Sequence, residues 1–177
     1  MQVSLIVSVV GSDRPGLVEQ LSTAITTAGG NWEGSRLVRL GGQFAGMVQV
    51  IIPDSELASL ESSLAGLEET GLKVTTVHSG QTSTATESAS VYLLEVVGQD
   101  RPGIVRTIAS ALASEGVNVI ELATDCRQAP MSGECLFHTN AKLLIPESVD
   151  SDDLRARIEE IATDLMVELA REIDSNH

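Results

Sequence analysis

The chain is 177 residues long, carries a net charge of -14, and is 42% hydrophobic but nearly devoid of aromatics, which are Trp32, Phe44, Tyr92 and Phe137. Single-strand nucleic-acid binding needs stacking rings and a basic groove, so direct binding of DNA or RNA is excluded as a reading. No apolar run approaches the roughly 20 residues of a membrane helix, and no basic segment precedes the apolar N-terminus, so neither a membrane span nor a signal peptide is expected and a cytoplasmic location is.

The segment Val3–Val10 is short, apolar and rich in β-branched residues, and reads as a strand. A turn at Gly11–Arg14 follows. Leu17, Val18, Leu21, Ala24, Ile25 and Ala28 then recur at helical spacing, and Gly29-Gly30 ends the helix. Asn31–Leu40 and Gln43–Ile52 read as two strands of a hairpin, joined by Gly41-Gly42, because both turn positions can take positive φ. Pro53 stops the third strand, and Asp54 or Ser55 is placed to cap a second helix with Leu57, Leu60, Leu64 and Leu67 as its buried stripe. Gly71 closes it, and Leu72–His78 reads as a fourth strand.

The polar stretch 79–90, rich in Ser and Thr, reads as a linker. Beyond it the plan repeats: strand Val91–Val97, helix Pro102–Glu115, strands Val117–Asp125 and Cys135–Ile145, a helix over Ser151–Thr163 and a strand at Leu165–Leu169. The repeat is literal in places. Asp13-Arg14-Pro15-Gly16 recurs 87 residues later as Asp100-Arg101-Pro102-Gly103, Gly29 falls on Gly116, and Asn31 falls on Asn118. The order β-α-β-β-α-β, met twice, predicts an α+β protein of two ferredoxin-like domains, each an antiparallel sheet with helices on one face. The expected borders are domain 1 over 1–78, the linker over 79–90, and domain 2 over 91–173. Small modules with exposed strand edges are expected to pack side by side as a pseudo-symmetric pair, with their first strands close together. The second hairpin is longer than the first, and its segment Ala129–Gly133 is expected to be a shaped loop.

The Asp-Arg-Pro-Gly turn suggests a carboxylate site. The missing N–H of Pro15, a reach of Asp13 to the amide of Gly16 or Leu17, and the bare Gly16 would leave helix-start amides open to an anion. The same pattern also reads as a plain capped helix start. Asn31 and Asn118 can accept from an ammonium and donate to a carboxylate, and they are expected to open strands that lie next to those turns. A small zwitterionic amino acid fits such a set. The candidate ligand-binding residues are therefore Gly11, Asp13, Arg14, Pro15, Gly16 and Asn31 in the first repeat, with Gly98, Asp100, Arg101, Gly103 and Asn118 in the second. No catalytic constellation or phosphate loop is present; His78, His138 and His177 stand apart. Cys126 and Cys135 flank the second hairpin loop and are expected as free thiols, although a bridge is conceivable; their spacing gives no metal motif, and neither a metal nor a cofactor is expected.

Both halves resemble ACT domains on the Asp-Arg-Pro-Gly turn, the helix after it, and the Gly-x-Asn step beyond. Through Asn31–Leu37 with Leu40–Gly46, and through Ala129–Gly133 with Leu136-Phe137-His138, the chain from Met1 to Leu169 resembles the glycine cleavage system transcriptional repressor family. The resemblance implies a bacterial, amino-acid-sensing regulatory protein and no enzyme. It implies a small amino acid such as glycine or serine as ligand and a protein partner such as a transcriptional activator, and it leaves room for a homodimer. The alternative is a free-standing amino-acid-binding regulatory subunit of a metabolic enzyme.

Overall fold

The structure is a computed structural model that describes residues 1–79, 88–128, 135–161 and 165–172. It divides into two compact units, Met1–Ser83 and Thr84–His177. In the first, β1 (Gln2–Ser12) is followed by α1 (Leu17–Thr27), β2 (Asn31–Leu40), β3 (Gln43–Pro53), α2 (Leu57–Ala65) and β4 (Leu72–His78). The second repeats the order with β5 (Ala89–Gln99), α3 (Ile104–Ser114), β6 (Asn118–Gln128), β7 (Cys135–Pro146), α4 (Ser151–Ile161) and β8 (Leu165–Arg171). Each unit holds one four-stranded sheet, ordered β2-β3-β1-β4 and β6-β7-β5-β8, with every neighbouring pair antiparallel. These are the two ferredoxin-like βαββαβ domains that the periodicities predict.

The packing follows from alternation. Leu5, Val7 and Val9 of β1 point to one face and are buried with Leu17, Leu21 and Ile25 of α1 and Leu60 and Leu64 of α2. In the second unit Leu94 and Val96 of β5 meet Ile108 and Leu112 of α3 and Leu154 and Ile158 of α4. Strand period two and helix period 3.6 thus deliver their apolar residues to the same layer. Both edge strands carry a register shift at the same repeat position, Trp32/Gly34 in β2 and Val119/Glu121 in β6.

Several local expectations are changed by the structure. Gly41 and Gly42 take φ values of 57° and 77°, as the two-residue hairpin requires. Neither Asp54 nor Ser55 caps α2; a single 3-10 turn over Asp54–Glu56 leads into it instead. A side-chain cap is present on α4, where Asp150 Oδ1 accepts from the amides of Asp152 and Asp153 at 2.8 and 3.1 Å. Ala89 and Ser90, read as linker, already pair with Pro146 and Ile145 in β5. The rest of the linker from 80 to 87 and the loop Ala129–Gly133 lie outside the described residues. No helix among the described residues is long and apolar enough to cross a membrane.

Candidate functional site

The two Asp-Arg-Pro-Gly turns have the same backbone. Gly16 and Gly103 each stand at the helix N-cap with φ 90° and ψ near zero, and no side chain caps either helix. A Cβ on Gly103 would meet nothing within 4 Å, so the glycine is required by the left-handed backbone and not by crowding. The proline therefore lies in the turn ahead of the helix, which begins one residue after the glycine at Leu17 or Ile104. Among the described residues no side chain caps these first turns, and the Ile104 amide makes only a 3.4 Å approach to the Arg101 carbonyl.

Asp13 does not cap α1 as expected. Its amide donates to the Gly42 carbonyl at 3.0 Å, and its carboxylate accepts from Arg39 Nε at 2.8 Å. The left-handed step at Gly16 turns the chain before the helix begins, so the carboxylate faces the β2–β3 hairpin. Arg14 is half-buried and is held from both sides, donating to Gln20 Oε1 at 2.9 Å and to the Thr70 carbonyl at 3.4 Å. It therefore braces the turn against α1 and the approach to β4. Pro15 and Gly16 are exposed, as are Arg101 and Gly103. Gly11 and Gly98 are buried inside the sheets; a Cβ on Gly11 would come within 2.6 Å of the Gly71 carbonyl oxygen, which makes its role the close approach of β1 and β4.

Asn31 and Asn118 follow the helices and open the edge strands, both exposed, but neither lies beside the turn of its own unit. Asn31 is opposite Ile51, and Ile51 is opposite Ser4, whereas the turn springs from Ser12 at the far end of β1. At about 3.3 Å per residue, Ser4 and Ser12 are roughly 26 Å apart. Asn118 pairs in the same way with Leu144, opposite Val91, while the second turn follows Gln99. The reason is topological. β2 runs parallel to β1 with β3 between them, so it starts at the end where β1 starts.

The second turn departs from the first in chemistry. The Asp100 amide donates to the Cys135 carbonyl at 3.2 Å, as Asp13 does to Gly42. The carboxylate faces Cys126, which stands where the first repeat has Arg39. One ligand atom from each of Asp100, Cys126 and Cys135 lies within 4.8 Å of the others. Both cysteines are free and exposed. The hydrogen bond with Cys135, then partial desolvation, and then the neighbouring Asp100 carboxylate push the Cys126 thiol up to about 12. The spacing of the cysteines gave no sign of this cluster. The 87-residue offset of the repeat, which sets Cys126 on Arg39, was the signal that could have found it.

A small cleft of about 30 Å³ opens on the helix side of the second unit, between α3 and the edge of the sheet, lined among others by Val105, Leu112, Val119, Leu122 and Thr139. Thr139 is 2% exposed and its Oγ1 has no hydrogen-bond partner. In the first unit, Trp32 stands at the position of Val119 and Leu37 at that of Thr124, which also lines the cleft, and both pack on the core.

A family profile, described as ACT domain, matches residues 4–77, and the second unit repeats that unit's topology and turn. The first unit thus matches the ACT domain, and the chain as a whole resembles a tandem pair of such domains. Over 163 residues it is 24% identical to the glycine cleavage system transcriptional repressor of Escherichia coli (strain K12), covering 91% of this chain and 85% of that one. The solved structure of a protein of unknown role from Galdieria sulphuraria is 31% identical, covers 98% of this chain and 100% of its own, and superposes with a TM-score of 0.81. A solved structure named as a candidate glycine cleavage system transcriptional repressor is 19% identical, covers 98% of this chain and 99% of its own, and has a TM-score of 0.71, which speaks to the fold of the ACT pair.

Proposed function

We propose that this protein is an amino-acid-sensing regulator without catalytic activity of its own, which acts by contacting another protein in the manner of a glycine cleavage repressor. The similarity to that repressor along 91% of the chain supports the reading. The acidic balance, with a net charge of -14, suits a protein partner such as a transcriptional activator and disfavours DNA. The signal in this reading is a small amino acid such as glycine or serine.

The observation that carries the ligand assignment is the duplicated, glycine-capped helix start with no side-chain cap. Open amides at a helix N-terminus suit a carboxylate, and the asparagine side chains suit an ammonium. The strand register adds a condition. The turn and the asparagine of one unit lie at opposite ends of its sheet, so a single small ligand does not touch both within that unit. Gly16 and Gly103 would admit the carboxylate, Asn31 and Asn118 would orient the ammonium, and Arg14 and Pro15 would shape the first turn without touching the ligand. Calorimetric titration of the full chain with each of the twenty amino acids tests the reading. A small amino acid is expected to bind, and no binding at millimolar concentration would leave the turns as helix starts only.

A further inference from the structure

The two copies of the Asp-Arg-Pro-Gly turn satisfy their aspartates differently. In the first, the Arg39 guanidinium lies 2.8 Å from the Asp13 carboxylate. In the second, Cys126 replaces that arginine and Cys135 replaces Gly42, the residue whose carbonyl receives the aspartate amide. Asp100 forms no ion pair with any described residue, so a position that holds a cation in one copy holds two sulfur ligands and a carboxylate in the other. We propose that Asp100, Cys126 and Cys135 form a site for a thiophilic divalent cation of the zinc class, seated where Arg39 sits in the first unit.

The three ligands come from three elements: the turn before α3, the end of β6 and the start of β7. They are preplaced by backbone structure, because Cys135 pairs with Gln128 across the hairpin and its carbonyl accepts from the Asp100 amide. Tetrahedral zinc, with sulfur at about 2.3 Å and oxygen at about 2.1 Å, sets its ligand atoms roughly 3.5–3.8 Å apart. Here they lie within 4.8 Å of one another, a set that closes by side-chain rotation. Binding forms two metal–sulfur bonds and one metal–oxygen bond, and breaks two S–H bonds whose protons pass to solvent. No oxidant is needed. Three protein ligands leave one position for water or a fourth donor. The ion would tie the second turn to its hairpin, as the Asp13–Arg39 pair ties the first.

Cobalt(II) serves as the spectroscopic probe on the full chain, reduced and confirmed by thiol titration to carry two free thiols. One equivalent is expected to give thiolate-to-cobalt charge-transfer absorption and the visible bands of a tetrahedral ion, and zinc is expected to bleach both. The double variant Cys126→Ser/Cys135→Ser should lose the charge-transfer band while keeping its circular dichroism. Asp100→Asn should keep the band but bind about tenfold or more weakly. The absence of the band in the reduced wild type, or its survival in the folded double variant, overturns the site.

Discussion

Thr139 tests whether the second core was read correctly. Its side chain is buried to 2% exposure with Oγ1 unpartnered, beside an apolar cleft of about 30 Å³. A buried hydroxyl without a hydrogen bond costs about 1–3 kcal/mol in lost hydration. Thr139→Val removes that hydroxyl and adds a methyl group to an apolar wall, which contributes up to about 0.8 kcal/mol more. The expected net gain, allowing for imperfect fit, is about 1–2 kcal/mol. For a domain of this size that raises the unfolding midpoint of the second unit by roughly 4–15 °C. Hydrogen exchange read by mass spectrometry resolves the units: peptides of β5 and β7 should gain protection, while those of β1 and β3 serve as the internal control. A variant less stable than the wild type by more than about 0.5 kcal/mol would refute the reasoning, because the hydroxyl would then have a partner in solution.

Gly103→Ala should destabilise the second unit by about 1–2 kcal/mol in chemical unfolding, the cost of a Cβ at left-handed φ, since the space around it is open. Gly103→Asn, which tolerates that conformation, should cost less. Asp13→Asn should cost no more than about 1 kcal/mol by the same assay, because Arg39 is 72% exposed in its pair and solvent screens it. Cys126 should resist alkylation at pH 8 and react faster as pH rises toward about 12, measured by mass spectrometry of the modified peptide. The sign follows from the raised value. The neutral thiol is the form the fold favours, so its contribution is complete below the ordinary value of 9.0 and is lost as pH climbs through about 12.

The elements were legible because each strand and helix carries its own period and its own stop. Leu17, Leu21 and Ile25 at helical spacing and the Gly41-Gly42 turn predict their structures from local rules alone. What the local rules could not supply was the meeting of distant ends. Asn31 was placed beside the turn because it follows the helix in sequence. Sheet order decides otherwise: β3 lies between β2 and β1, and Asn31 sits level with Ser4. The missing N–H of Pro15 points the Asp13 carboxylate toward the amide of Gly16 or Leu17 when only the local sequence is considered. The left-handed backbone at Gly16 instead turns it toward Arg39, a contact 26 residues away along the chain. The cluster of Asp100 with two cysteines was hidden for the same reason. Its members are close only after the hairpin register is known.

The central claim, a small amino acid bound by this chain with Asn31 and Asn118 among its contacts, is tested most directly by calorimetric titration of the wild type, Asn31→Ala and Asn118→Ala with glycine, serine and alanine. Both asparagines are exposed at strand starts, so neither substitution removes core packing. A hydrogen bond to a charged group contributes about 1.5–3 kcal/mol, and about 1.4 kcal/mol is a factor of ten. Saturable binding by the wild type is expected, weakened about tenfold or more in at least one variant with the fold intact. Binding of unchanged affinity in both variants, or no binding by the wild type at millimolar ligand, would contradict it.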